Sequence, residues 1–176
     1  MLLKELLLRN HNGGNQEEVI SIMSFHEKTN EYPALAQLVY GVELDVPHIM
    51  IPWSIREREF CKKYITTLAK KVTNGAYIIK NATFLGEENC NIGIEFKQTM
   101  FKVGLSRSQY NSYDDVEKSF ISFQNAFEKA YGKATAHMSD VIGFYRYEWI
   151  IDVKLNIHHY IMDRFGLAEY LYIERI

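Results

Sequence analysis

At 176 residues the chain has the length of one ordinary domain, and 47% of it is apolar, enough to bury a core without disulfides or a structural metal. Lys and Arg number 20 against 22 Asp and Glu, a formal net charge of −2, which argues against a dedicated nucleic-acid binder and equally against an acidic mimic of DNA. Cys61 and Cys90 form neither a disulfide framework nor a CxxC pair, and no run of about 18 apolar residues marks a membrane helix, so the expectation is a soluble chain working in the cytoplasm with reduced thiols.

Leu2, Leu3, Leu6 and Leu7 recur at helical spacing, and Gly13-Gly14 closes that element. Asn15 with Glu18 is a capping pair for a helix over 16–28, with Val19, Ile22 and Met23 on one face. Pro33 opens a short helix that Gly41 stops. Residues 42–51 read as extended, and Pro47 and Pro52 keep them out of a central strand. Ser54 and Glu57 then form an S-x-x-E box. Phe60, Cys61, Tyr64, Ile65, Leu68 and Val72 make an apolar stripe, and Asn74-Gly75 a stop, which together predict a helix over 55–73.

Beyond Gly75 the period changes from 3.6 to 2. Residues 77–85 predict a strand and 86–91 a polar turn. Ile92, Ile94 and Phe96 alternate with polar or small neighbours, and residues 100–105 return as another strand. Asp114 and Glu117 start a helix whose stripe runs through Val116, Phe120, Phe123, Phe127 and Tyr131 to Gly132. Residues 141–162 predict one long strand or two joined by a bend, Asp163-Arg164-Phe165-Gly166 a hairpin turn, and 168–176 a final strand with Leu171 and Ile173 on one face. The expected fold is a single α+β domain: an antiparallel sheet, a meander plus a C-terminal hairpin, packed on one face by helices. Residues 1–75 form its mainly helical portion and 76–176 its strand-strand-helix-strand-strand portion.

No phosphate-binding glycine loop, dinucleotide fingerprint, hydrolase elbow, zincin or deaminase motif is present. No cofactor and no metal is predicted. The catalytic candidates are His158, His159, Asp163 and Arg164, an acid/base imidazole with a carboxylate and an anion-binding guanidinium. On a strand, His158 and His159 point to opposite faces, which favours ordinary hydrogen-bonded histidines over a shared site. His137 is a third imidazole for a zinc site, without metal-ligand spacing to support it.

The residues that most resemble a surface are aromatic. Tyr145, Tyr147 and Trp149 share one strand face, and Tyr170 and Tyr172 share another; such side chains build interface hot spots, although a period-2 apolar row also suits a core. Glu87 and Glu88 are a paired acidic feature for a basic partner, with a solvated turn as the plain explanation. Asp114 and Asp115 have a local explanation in helix capping.

These features predict a non-catalytic protein-binding module, a small cytoplasmic inhibitor of the immunity type that neutralises a protein partner such as a bacterial toxin domain. An alternative is a small metal-independent nuclease or hydrolase built on the C-terminal His/Asp/Arg group. A third reading is a homo-oligomeric structural subunit, with residues 168–176 as an edge strand pairing with its own copy. Neither nucleic acid nor membrane is expected as a partner.

Overall fold

A computed structural model of the chain describes residues 28–107, 112–138, 145–152, 154–163 and 167–176. In order along the chain are α1 (Pro33–Tyr40), β1 (Gly41–Leu44), β2 (Ile49–Pro52), α2 (Glu57–Tyr64), β3 (Ala69–Thr73), β4 (Ala76–Phe84), β5 (Glu87–Phe96), β6 (Met100–Arg107), α3 (Tyr113–Tyr131), β7 (Thr135–Met138), β8 (Tyr145–Asp152), β9 (Leu155–Asp163) and β10 (Leu167–Arg175). β1 and β2 form a small hairpin. The other eight strands form one antiparallel sheet in the order β3-β4-β5-β6-β10-β9-β8-β7. The fold is therefore the expected α+β class. The predicted elements at 2–7, at 16–27 and at 141–144, and Arg164 at the turn, lie outside the described residues.

One face of the sheet is apolar and is covered by the helices. Cross-strand register sets Tyr77, Ile94, Val103, Ile173, Ile157 and Trp149 in a line across six strands, all of them buried. α3 lies on this face because its stripe falls at helical period: Val116, Phe123, Phe127 and Tyr131 are buried, while Ile121 is 51% exposed. Ser112, not Asp114, caps the helix, its Oγ accepting from the Asp115 amide at 3.2 Å. Gly132 ends it with φ of 82°, and a Cβ there would meet the Tyr32 ring at 3.0 Å. Trp149 Nε1 donates to the Gly132 carbonyl at 2.7 Å and joins this corner to β8.

The helix expected over 55–73 is two elements. α2 ends at Tyr64, and Ala69–Thr73 turn back as β3, the sheet's first edge strand. Asn74-Gly75, expected to stop a helix, forms the β3–β4 hairpin turn, with Gly75 at φ of 74°. Val72, placed on the apolar stripe by spacing, is 62% exposed. Glu57 does not close a capping box with Ser54; its carboxylate accepts from the Tyr77 hydroxyl at 2.6 Å, which anchors α2 to β4.

The strand expected at an edge is in the middle. β10 lies between β6 and β9 and pairs with both, so it has no free edge for the contact between copies expected through it. The sequence neighbour of β10 is β9, but its other partner is 66 to 72 residues away in sequence, as in Leu171 with Leu105 and Glu174 with Lys102, and no local pattern reports a pairing of that range.

Candidate functional site

The alternation of β8, β9 and β10 divides the expected site residues between two faces. His159, Tyr147 and Trp149 face the helices. His158, Tyr160, Tyr170, Tyr172, Arg146 and Glu148 face the other way, where no described element packs. The aromatic row therefore does not form one binding surface. Trp149 is 4% exposed and packs on Phe127, and Tyr147 packs on Phe120, because apolar rows of period 2 go to the core face. Tyr145 and Asp163 end the described parts of β8 and β9, and only their backbones are described.

His159 sits in a buried string of polar side chains. Its Nδ1 is 2.9 Å from Gln124 Oε1 and its Nε2 is 2.7 Å from Glu169 Oε1, while Ser119 Oγ donates to Glu169 Oε2 at 2.5 Å. Gln124 is oriented by its Nε2, which donates to Glu128 at 2.8 Å. Ser, His and an acid are all present, but the carboxylate stands between the other two, so nothing positions the imidazole to take the hydroxyl proton. His159 is 0% and Glu169 7% exposed, and no substrate reaches either. The string fastens α3 to β9 and β10. Sequence reasoning missed Ser119, Gln124 and Glu169, whose contacts to β9 and β10 span 10 to 50 positions and leave no local signature.

Burial lowers the proton affinity of His159 below the ordinary value of 6.5, against the opposing pull of Glu169. The sign follows from that direction. As pH falls below about 6.5 the unfolded chain takes up the proton before the folded one does, so stability is lost on acidification. The unfolding free energy from urea denaturation is expected to fall between about pH 7 and pH 5, by up to about 1.4 kcal/mol per pH unit. In His159→Gln this slope flattens; a slope equal to that of the parent protein would place the acid sensitivity elsewhere.

On the open face, His158 is 7% exposed beneath its neighbours. Arg146 Nη2 donates both to His158 Nδ1 at 2.8 Å and to Glu148 Oε1 at 2.7 Å, and His158 Nε2 donates to Glu174 Oε1 at 3.0 Å. His137 Nε2 is 3.7 Å from the other oxygen of Glu148. His158 Nδ1 also lies 3.0 Å from Glu148 Oε1, so imidazole, carboxylate and guanidinium contact one another directly. With His159 on the opposite face, the three imidazoles considered for zinc do not converge. Among the described residues no group of three His, Cys, Asp or Glu is arranged to hold a metal.

Around His158 the face is aromatic. Tyr172 stacks on its ring at 4.8 Å, Tyr160 stacks on Tyr170 at 5.2 Å and 11°, Lys102 Nζ lies 4.3 Å from the Tyr172 ring centre, and Arg146 lies 5.6 Å from that of Tyr160. Partial burial raises the hydroxyl pKa of Tyr160 and of Tyr172. Tyr170 stands furthest out, 42% exposed. The adjacent rows add Gly93 and Gly104, directly paired across β5 and β6, with Asn91 opposite Ser106 and Glu174 opposite Lys102. Tyr, Gly, Ser, Asn and Arg are the residue types that protein-recognition surfaces favour.

Glu87 and Glu88 are strand residues, not turn residues, because the turn closes at Leu85-Gly86. The Glu87 carboxylate is taken up by Arg107 and by Ser122 Oγ, which donates at 2.6 Å, and Arg107 also donates to the Glu88 carbonyl. Of the expected acidic docking pair, Glu87 thus belongs to a clamp between β5, β6 and α3, while the Glu88 side chain is exposed. Cys90 beneath it is buried, its thiol pKa pushed up to about 11 by desolvation, and it is no nucleophile.

A scan against protein-family models, a search of curated proteins and a search of solved structures each found no match to this chain. Among the described residues no helix is long and apolar enough to cross a membrane.

Proposed function

We propose that this chain is a non-catalytic protein-binding module of the inhibitor or immunity type, which docks and neutralises a protein partner such as a toxin domain through the open face of β8, β9 and β10. The observation that carries the proposal is the stacked Tyr160–Tyr170 and Tyr172–His158 array on a sheet face that no described element covers. Tyrosines held in place by stacking offer large amphipathic contact area at little cost in conformational entropy. The enzyme reading loses its support because His158 and His159 diverge and each ring is engaged by carboxylate and amide or guanidinium neighbours. The unpaired thiols Cys61 and Cys90 favour the reducing cytoplasm as its place of action.

Affinity capture from host lysate with the intact chain, Tyr170→Ala and Ile121→Ala tests this. Tyr170→Ala is expected to lose about 0.5–1.5 kcal/mol of stability, since only one stacked pair is broken, and to lose the captured partner. Ile121→Ala, on the exposed side of α3, keeps it. A partner retained by Tyr170→Ala and lost with Ile121→Ala moves the docking surface to the helix side. A captured protein whose toxicity or enzymatic activity is unaffected by the chain removes the inhibitor reading.

A further inference from the structure

β3 forms one edge of the eight-stranded sheet: it pairs with β4 on one side and with no described strand on the other. Sheet edges of this kind offer alternating amide and carbonyl groups to any extended chain that comes alongside. Lys70, Lys71 and Val72 on this strand are exposed, Val72 at 62%, and Ala69 alone is buried. The surrounding stretch is charged one way. Between Ser54 and Lys80 there are seven basic residues against two acidic ones, Glu57 and Glu59, in a chain whose total charge is −2. Glu57 is itself bonded to Tyr77. The last turn of α2, which precedes β3 in the chain, adds Lys62 and Lys63.

We infer that the outer edge of β3 is a docking site for an extended acidic segment of a partner protein, which adds to the sheet as a further strand. Main-chain hydrogen bonds supply the attachment, and two adjacent glutamate or aspartate side chains, one on each face of the sheet, pair with Lys70 and Lys71, which point to opposite faces. The charges select among occupants. A second copy of this chain would set Lys70 and Lys71 against like charge, which disfavours edge-to-edge pairing between copies. An acidic strand turns the same lysines from a barrier into the source of specificity. A nucleic acid satisfies the charge and leaves the edge amides and carbonyls unpaired. This site is independent of the tyrosine face.

The test uses the full 15N-labelled chain and three synthetic probes: a valine-rich peptide with two adjacent glutamates, the same peptide N-methylated at alternate residues, and oligothymidylate. The expected result is chemical-shift change confined to β3 and its turn with the first peptide, little or none with the N-methylated one, and weaker binding of oligothymidylate. Lys70→Glu with Lys71→Glu is expected to weaken the acidic peptide at least about tenfold and to admit a lysine–valine peptide instead, which shows that the variant remains folded. The inference is overturned by equal binding of the N-methylated peptide, by oligothymidylate binding as tightly, by shifts that map away from β3, or by no binding up to about 1 mM.

Discussion

Phe127→Ala is expected to cost about 3–5 kcal/mol of folding stability, the range for removing a large aromatic side chain from a packed core. Phe127 is 0% exposed and meets Phe84 at 5.8 Å, Tyr131 at 5.3 Å and Trp149 at 5.7 Å between ring centres. It thus joins β4, the end of α3 and β8, and three rigid rings leave little scope for the cavity to collapse. In a chain of this length each kcal/mol moves the melting temperature by about 2–4 °C, so the loss is easily read in thermal or urea unfolding. Ile121→Ala on the exposed side of the same helix provides the comparison and is expected to change stability by less than about 0.5 kcal/mol. A cost below about 1 kcal/mol for Phe127→Ala would mean that α3 does not pack on the sheet as described.

A loss of similar size, about 3–5 kcal/mol, is expected for Glu169→Ala. The carboxylate is the middle of the buried string, and its removal takes away an acceptor from both His159 Nε2 and the Ser119 hydroxyl. Ser119→Ala removes a donor but leaves Glu169 its contact with His159, and is expected to cost only about 1 kcal/mol. Glu169→Leu combined with His159→Leu replaces both partners by apolar groups of comparable bulk and is expected to be less destabilising than Glu169→Ala alone. Urea denaturation of the three variants checks this order. If the double variant is the worst, the string contributes net stability to the junction of α3 with the sheet instead of only demanding satisfaction.

The parts of this fold that were legible in the sequence are those decided by local periodicity. The Phe stripe of α3 and the alternation of Ile92, Ile94 and Phe96, or of Leu171 and Ile173, each report burial on one side of one element, and each residue is buried where expected except Phe120, which is half-buried. β3 was missed because it is short and has a single buried residue, so it carries no period of 2, and because Asn-Gly serves both as a helix stop and as a hairpin turn. The placement of β10 at the centre follows from its pairing with β6, a long-range contact. The same limit applies to the candidate site. Opposite orientations of His158 and His159 follow from strand geometry alone. Which face of Tyr147 and Trp149 the helix would cover, and that Arg146 would fill the space beside His158, depend on strand order and could not be read from spacing.

The open face of β8, β9 and β10 is the surface proposed to meet a protein partner. Oxidative footprinting of the tyrosines, free and in the captured complex, tests this most directly. Three exposed tyrosines report on separate places: Tyr170 on the open face, Tyr113 at the start of α3 and Tyr40 at the end of α1, with exposures of 42%, 54% and 76%. The predicted result is that Tyr170 becomes protected in the complex while Tyr113 and Tyr40 react as before. Protection of Tyr113 or Tyr40 with Tyr170 still reactive would contradict it.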